Sequence, residues 1–420
     1  MRPPARSTWF VTPYYAHGWE HGSHLRTFAI AREWVRQGAE VHFLALEFEH
    51  TDPALPGPYL DRLRDSGVIT GFHRLRLQHP RFRGKAARAA LHPAIKKLVL
   101  GPEYRAMVSE INEVVRAVSP NACVFTDYHL LFALPYLRRY APVTIDWKDS
   151  VSLYQARDVR AALQRRAWRH AVGGALRQRE WALFERYYGT RADHNVFVSP
   201  IDAAAMTHLL GGGATVHTIP NGIRARPALS AGARDPNRLI FTGAMNYPPN
   251  HHSAVWFIRH VLPRIVARRP EVRLVVAGSH PLPELRALGG PNVAVTGWVD
   301  DMRAELAGSA LYVAPMIAGN GFKNKVVEAL ATGTNVVGTT LAFEFLPERL
   351  RALFHSANEP DALADAVLRH LDDPPENART AVRFWELAGD EYDWEHVAER
   401  MARVAASGCS TPACSAQALF

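Results

Sequence analysis

The pattern of apolar and polar positions predicts strands and helices in alternation. Short segments that are apolar at nearly every position, bounded by glycine, proline or asparagine, indicate strands buried on both faces, as in parallel sheets. In the second half of the chain, such segments lie at 238–244, 272–278, 293–299, 311–316 and 334–340. Segments with helical spacing separate them, beginning with a predicted helix at 250–269. This order is typical of an α/β sheet covered by helices on both faces.

The first half of the chain has the same alternation. Its predicted strands lie at 8–13, 40–47, 122–127, 142–149 and 194–199. A helix is predicted from about His24 to Gln37, and a long basic helical stretch between about Val151 and Arg191 interrupts the strands. Packing anchors of that stretch are expected at Trp168, Trp181, Phe184 and Tyr187. The sequence therefore predicts two doubly wound, Rossmann-like domains.

A segment rich in Pro, Gly and Arg, without apolar periodicity, separates the two halves. We predict a first domain at 1–222, a linker at 223–237 and a second domain at 238–384. A helix at about 385–406 carries aromatic residues that need a second surface, and we expect it to pack back onto the first domain. The small, polar residues 407–420 predict a flexible tail.

Composition narrows the class of protein. The chain has 420 residues, of which 48% are hydrophobic and 21% charged, and this length suits two globular domains. Its three cysteines are too few for a disulfide framework, which favours a reducing compartment. Neither an apolar run long enough to span a bilayer nor a secretory signal is evident. We therefore expect a cytoplasmic location.

The net charge of +9 is concentrated in two regions. Eight Lys or Arg residues and no acidic residue lie between Arg74 and Lys97, and a second arginine-rich region spans 160–179. Two interpretations stay open: a solvated helical face, or peripheral contact with an anionic membrane at its inner face. A nucleic-acid partner would also explain the charge, but no recognisable reader module is present, so we expect none.

Glycine-rich turns after the predicted strands are the candidates for binding phosphate. Such turns direct backbone N–H groups and helix N-termini towards a ligand. Three stand out, at 16–26, 241–250 and 318–330. None matches the P-loop or the dinucleotide-binding fingerprint, which disfavours P-loop hydrolysis and dinucleotide redox chemistry.

The third turn carries the most chemistry. Gly319 and Gly321 permit close backbone approach, and the ammonium groups of Lys323 and Lys325 can neutralise phosphate charge. Glu328, one helical turn further on, can accept hydrogen bonds from ribose hydroxyls. Taken alone, the turn is equally compatible with a surface loop that carries solvated lysines.

In order and spacing, several segments resemble glycosyltransferase family 4, a group of retaining enzymes with the GT-B fold. They are IPNGI at 219–223, FTGAMNYPPN at 241–250, VTGWVDDMRAELAGSALYVAPM at 295–316 and GFKNKVVEALATGTNVVGTT at 321–340. In the first half, the resemblance is looser and depends on Gly22, Arg26 and the order of strands and helices. It implies two Rossmann-like domains facing a central cleft, in which a sugar passes from a nucleoside diphosphate sugar to a carbohydrate or lipid-linked acceptor. It implies no metal and no other cofactor.

The resemblance also implies residue roles. Glu328 would bind the donor ribose, Lys325 or Lys323 would face the diphosphate, and Gly243 would lie close to the phosphates. The implied donor-binding residues are Gly243, Asn320, Gly321, Phe322, Lys323, Lys325 and Glu328. The implied catalytic residues are Gly22, Lys325 and either Asp127 or His129, one of which would face the transferred sugar.

The sequence departs from the family pattern at two places. Asn320 stands where many members carry the first of two glutamates, and GAMNYPPN replaces the usual Arg and Lys pair after the first donor-domain strand. From charge balance we infer that Lys323 and Lys325 supply the missing charge. Two alternatives with the same fold stay open: a nucleotide-sugar epimerase and a non-catalytic sugar-nucleotide binder. The acceptor pathway, polysaccharide, glycolipid or secondary metabolite, stays open as well.

Overall fold

The computed structural model describes residues 8–13, 22–48, 56–77, 101–164, 166–223 and 234–407. The chain divides into two compact units. The first unit combines the chain up to Gly222 with the C-terminal part from Trp394, and the second unit runs from Ile223 to Asp393. Most of the basic segment between Arg74 and Lys97, most of the linker and most of the tail lie outside the described residues.

The first unit contains a parallel sheet whose described strands have the order β3-β2-β1-β4-β5-β6-β7. They are β1 (Thr8–Pro13), β2 (Val41–Phe48), β3 (Gly71–Leu77), β4 (Ala122–Phe125), β5 (Val143–Lys148), β6 (His194–Phe197) and β7 (Thr215–Thr218). The helices that follow them are α1 (Gly22–Arg36), α2 (Pro56–Asp65), α3 (Gly101–Val118), the short α4 (Leu134–Leu137), α5 (Val151–Gln164), α6 (Trp168–Gly189) and α7 (Pro200–Leu210). The strand order reverses between β1 and β4, which makes the carboxyl ends of these strands the switch point where doubly wound sheets bind ligands.

Strand β4 explains why the apolar pattern is continuous in such strands. Cys123 and Phe125 are buried in one hydrophobic core, whereas Ala122 and Val124 are buried in a second core. Successive side chains of a strand point to opposite faces, so a strand covered on both faces is apolar at every position.

The second unit contains a smaller parallel sheet, whose described strands have the order β10-β9-β8-β11-β12. They are β8 (Asp235–Thr242), β9 (Arg273–Ala277), β10 (Val293–Gly297), β11 (Ser309–Ala314) and β12 (Val336–Gly338). The helices are α8 (Pro248–Trp256), α9 (Leu262–Val266), α10 (Pro283–Arg286), α11 (Met302–Ala307), α12 (Asn324–Ala331), α13 (Thr340–Phe343), α14 (Glu348–Arg351), α15 (Pro360–Asp372) and α16 (Pro374–Ala388). Here the strand order reverses between β8 and β11, so the loops after these two strands meet at the switch point.

Two predicted helices differ from the structure. The helix predicted at 250–269 is interrupted by a π-helical turn at Phe257–Val261. Pro263 follows that turn and has no N–H group to continue the regular hydrogen bonding. The helix predicted at 385–406 is also divided, because Gly389 adopts a positive φ of 54° and ends α16.

The last helix, α17 (Trp394–Ala406), belongs to the first unit. It packs along α1, where the indole N–H of Trp34 donates to the carbonyl of Ala398 at 2.7 Å. Val397 and Met401 are buried in the same core as Trp34. The final helix thus completes a core that the first 222 residues begin.

No helix within the described ranges is long and apolar enough to cross a membrane.

Candidate functional site

Two glycine turns meet at the carboxyl edge of the second sheet. Gly243 follows β8 and Gly278 follows β9, with positive φ angles of 150° and 147°. The N–H of Gly243 donates to the carbonyl of Ala277 at 3.1 Å. A Cβ atom on Gly278 would lie 1.8 Å from the carbonyl oxygen of Gly243, so a side chain there would push the two turns apart. Gly278 was not among the predicted site residues, although it too directly follows an apolar strand.

The ammonium group of Lys325 lies at the turn that contains Gly243. Lys325 is in the first turn of α12, and its Nζ donates to Oδ1 of Asn250 at 2.5 Å. Nζ is 5.1 Å from the centre of the Phe241 ring, and a Cβ atom on Gly243 would be 3.0 Å from it. A cation therefore occupies the end of β8, where the sequence GAMNYPPN itself has no basic residue.

Lys325 is poised between its charged and neutral forms. The pKa of Lys325 is lowered to about 7, mainly by burial and with a smaller contribution from nearby Lys323, while the Glu328 carboxylate acts in the opposite direction. An anion placed beside the ammonium would favour the charged form and raise this pKa again. The site is thus able to respond to a phosphate by taking up a proton.

Lys323 has a different position from Lys325. It is buried, and its Nζ donates to the carbonyls of Asn320 and Gly321 at 2.9 Å each. Gly319 and Gly321 have positive φ angles of 117° and 70°, so the loop bends at two glycines while Lys323 holds it from within. Of the two lysines proposed to face a diphosphate, Lys325 is the one whose ammonium lies at the Gly243 turn.

Glu328 and Phe322 lie near Lys325 with different surroundings. Glu328 is exposed on α12, and its carboxylate interacts electrostatically with the Lys325 ammonium. Phe322 packs its ring on Phe345 and Tyr392, with ring centres 4.6 and 5.8 Å apart, and so anchors the loop to the core.

Asp127 and Lys148 are neighbours at the carboxyl edge of the first sheet. Asp127 is half-buried just after β4, and Lys148 ends β5 with its Nζ donating to the carbonyl of Thr126 at 3.0 Å. Burial lowers the pKa of Lys148, against the opposing effect of Asp146 and Asp127. Lys148 has a φ of 66°, a left-handed conformation that is strained for a residue with a Cβ atom. No sequence signal indicates this conformation, and Lys148 was missed.

A buried ion pair fixes the start of α1 at the same edge. Nε of Arg26 donates to the two carboxylate oxygens of Asp146 at 2.8 and 3.1 Å. Nη1 of Arg26 also donates to the carbonyl of Pro220 at 2.8 Å and to Oδ1 of Asn221 at 3.1 Å. Arg26 therefore ties α1 and β5 to the IPNGI segment, which gives that segment a structural role in the first unit.

The remaining sequence-based candidates lie at this edge or outside the described side chains. Gly22 is the first residue of α1. His129 lies in the 3-10 turn Tyr128–Ala133, and its side chain is outside the described part of the chain. The choice between Asp127 and His129 stays a prediction. Among the described residues, no group of three or more His, Cys, Asp or Glu side chains is placed to hold a metal ion.

Comparison with known proteins places these sites in a family context. Residues 236–373 match the family model described as "Glycosyl transferases group 1". The chain is 30% identical over 198 residues to the phosphatidyl-myo-inositol mannosyltransferase of Mycolicibacterium smegmatis, covering 44% of this chain and 50% of that protein. It is 28% identical over 208 residues to the phosphatidylinositol N-acetylglucosaminyltransferase gpi3 subunit of Schizosaccharomyces pombe, covering 46% of this chain and 44% of that protein. The chain spans about half the length of the curated relatives it matches.

The similarity of folds extends over nearly the whole chain. The crystal structure of HepE from Anabaena in complex with UDP superimposes with a TM-score of 0.62 and 14% identity, covering 95% of this chain and 98% of that chain. The chain therefore has the α/β GT-B fold, and it carries a glycosyl transferases group 1 domain in its second unit. Both features were predicted from the sequence and are confirmed.

Proposed function

We propose that this chain is a glycosyltransferase that takes its sugar from a nucleoside diphosphate sugar and binds the donor diphosphate at Lys325. The observation that carries the proposal is the Lys325 ammonium beside the Gly243 turn, at the switch point of a group 1 domain. Gly243 leaves room for a phosphate to approach the backbone, and the ammonium neutralises its charge. Glu328, exposed on the same helix, is assigned to the ribose hydroxyls.

The chemistry follows from the leaving group. When the sugar departs, negative charge develops on the nucleoside diphosphate, and a cation already positioned at its phosphates stabilises the transition state. Lys325 supplies that cation, and Lys323 keeps the loop in place through the carbonyls of Asn320 and Gly321. We include retention of the anomeric configuration and independence from metal ions in the proposal. Both are supported by the family resemblance.

For the substrates, we propose a UDP-sugar donor and a lipid-linked acceptor. UDP is the nucleotide in the crystal structure of HepE, and both curated relatives are named for transfer to phosphatidylinositol. We also propose a cytoplasmic location, supported by a cysteine count of three, which is too low for a disulfide framework.

The function is tested with the purified full chain. We would incubate it with UDP-glucose, UDP-N-acetylglucosamine or GDP-mannose and measure release of the nucleoside diphosphate before and after adding phosphatidylinositol in mixed micelles. Acceptor-dependent release that persists in a chelator is the expected result. Conversion of the donor sugar without release would indicate an epimerase, and donor binding without either reaction would indicate a non-catalytic binder.

Donor binding is expected to take up a proton and to weaken as the pH rises above about 7. The pKa of Lys325 is lowered to about 7 in the free chain, and a bound diphosphate raises it, so above this pH binding must first protonate the amine. The affinity for UDP-glucose should fall about tenfold between pH 7 and about 8.5. Calorimetry in buffers of different ionisation enthalpy measures the uptake directly. The Lys325→Arg variant stays charged, so its affinity for UDP-glucose should not fall with pH in this way. An equal slope of affinity against pH in both proteins would contradict the prediction.

In the first unit, we assign Lys148 and Asp127 to hydroxyl groups of the acceptor. Together they offer an ammonium donor and a carboxylate acceptor at the switch point, a pairing suited to neighbouring hydroxyls. The left-handed backbone of Lys148 supports this assignment, since strain of this kind concentrates at functional sites.

Lys148→Gly is expected to relieve backbone strain while weakening binding of the acceptor. Glycine adopts a φ of 66° without strain, so this variant should be about 1 kcal/mol more stable than Lys148→Met, which loses the same ammonium but keeps the Cβ atom. Both variants should raise the KM for the acceptor. Thermal unfolding and acceptor titrations measure the two effects. Ser119→Gly, at a φ of 51° just before the amino end of β4 and so away from the carboxyl edge, is the control and should leave KM unchanged. Parental acceptor kinetics in Lys148→Gly would remove the assignment.

A further inference from the structure

Helices α5 and α6 form an antiparallel hairpin on the first unit. His170 on α6 contacts Asp158 on α5 at 2.7 Å, and Gly174 allows close packing, since a Cβ atom there would lie 2.8 Å from Val159. The hairpin begins three residues after Lys148, directly at the carboxyl edge of the sheet. It is the long basic stretch that the sequence places between the strands.

The outer face of α6 exposes large apolar side chains, among them Trp168, for which the predicted role as a packing anchor is wrong. The exposed fractions are 64% for Trp168, 64% for Val172, 60% for Leu176 and 64% for Leu183. At about 100° per residue, Val172, Leu176 and Leu183 fall within roughly 40° of one another on the helix, and Trp168 borders them. These four residues are called the α6 stripe below. Single exposed apolar residues are ordinary, but a stripe along one helix face is not.

Exposed arginines lie on and beside the α6 stripe. Arg179 and Arg186 share the side of the stripe on which Trp168 lies, Arg169 lies just beyond Leu176 on the other side, and all three are exposed. Glu180 is the exposed acidic residue on the same face. Exposed apolar side chains accompanied by arginines and a tryptophan are typical of a helix that lies in the plane of a membrane interface.

We propose that the α6 stripe is a membrane-contact surface that lies flat on an anionic lipid leaflet. The apolar side chains would enter the headgroup region, while Arg169, Arg179 and Arg186 contact lipid phosphates. Charge favours this partner over a second copy of the chain. In a twofold contact the same face meets itself, which would bring the positive charges of Arg169, Arg179 and Arg186 onto a surface that carries the same charges.

The hairpin adjoins the carboxyl edge of the first sheet, so membrane contact through α6 would affect the site at that edge. The ring of Trp181 on α6 packs edge-on against that of Tyr128, with centres 5.2 Å apart, and Tyr128 directly follows Asp127. Trp181 lies on the side of α6 opposite the stripe, so a membrane-bound α6 would hold the carboxyl edge of the first unit, with Asp127 and Lys148, about one helix diameter from the lipid surface. This last step rests on the lipid-linked acceptor proposed above, whereas membrane binding itself does not.

The test compares two matched double variants of the full chain. Leu176→Ser with Leu183→Ser alters the α6 stripe, and Leu282→Ser with Leu387→Ser removes leucines that are 39% and 50% exposed on the second unit. Sedimentation with vesicles of phosphatidylcholine containing phosphatidylglycerol measures partitioning. The stripe variant should lose at least about tenfold in partitioning and the control less than about twofold. Replacing Arg179 and Arg186 by Gln should cost roughly fivefold per charge at low salt and less at high salt.

Two results would overturn the proposal. One is equal partitioning of the stripe variant and its control. The other is a dimer in solution that the stripe variant converts to a monomer while vesicle binding is unchanged, which would assign the surface to a second copy. Because no donor is present in the vesicle assay, its outcome is independent of whether the chain transfers sugar.

Discussion

Lys325→Met is expected to lower kcat/KM for the donor by at least about 100-fold, since it removes a charge that stabilises the leaving diphosphate. Methionine keeps an apolar stem near Phe241 but has no ammonium. The variant should not be less stable than the parent protein. Below about pH 7 the parent carries a buried ammonium whose lowered pKa records an unfavourable environment, and this penalty disappears in the variant.

The controls for Lys325→Met distinguish charge from packing. Lys325→Arg retains a positive charge and should keep more transfer activity than Lys325→Met. Thermal unfolding of all three proteins at about pH 6.5 tests the stability argument, because the ammonium is then charged in both the folded and the unfolded chain. A methionine variant with near-parental kcat/KM would remove Lys325 from the donor site.

Gly278→Ala is expected to destabilise the second unit by about 3 to 5 kcal/mol. The new Cβ atom would lie 1.8 Å from the carbonyl oxygen of Gly243, at a φ of 147° that alanine rarely adopts. Because both contacting atoms belong to the turns after β8 and β9, no flexible side chain can move aside. Thermal and urea unfolding measure the loss, and donor affinity should fall with it as the Gly243 turn shifts.

Gly297→Ala is the matched control for Gly278→Ala. Gly297 also has a positive φ, 77°, in the same sheet, but a Cβ atom there meets nothing within 4 Å. It should therefore cost only about 1 kcal/mol of backbone strain. If Gly297→Ala lost as much stability as Gly278→Ala, the close approach of the two turns would not explain why glycine is needed at position 278.

The sequence predicts the central strands of both sheets and the edge strands β10 and β12 of the second sheet, but not the edge strands of the first sheet. β4, β8, β9 and β11 are covered on both faces, so they are apolar at successive positions and recognisable. β3 and β7 lie at the two edges of the first sheet, and their polar sequences, GFHRLRL and TVHT, were not identified as strands. A strand with one open side does not need an apolar pattern, so local sequence contains too little to reveal it.

Some residues of the candidate site were predicted from the sequence, and others were not. Gly243, Lys325 and Glu328 were predicted because glycine turns, lysines and a helix-borne carboxylate form a pattern in the sequence. Asn250 and Lys148 were not, because their roles depend on partners far along the chain: Asn250 meets Lys325, 75 residues later, and Lys148 meets the carbonyl of Thr126, 22 residues earlier. The difference between Lys323 and Lys325 likewise appears only once the loop has folded around the buried Lys323 ammonium.

The packing of α17 on α1 has a consequence for how the chain is made. The second unit is one continuous segment, from Ile223 to Asp393, and all of it is synthesised before Trp394. The first unit starts earlier but must wait for Val397 and Met401 to fill its core beside Trp34. During translation the N-terminal half therefore keeps an uncovered apolar surface until α17 is available to pack on it. C-terminal truncations before α17 would leave that surface permanently open, so insolubility of such fragments would reflect the unfinished first unit.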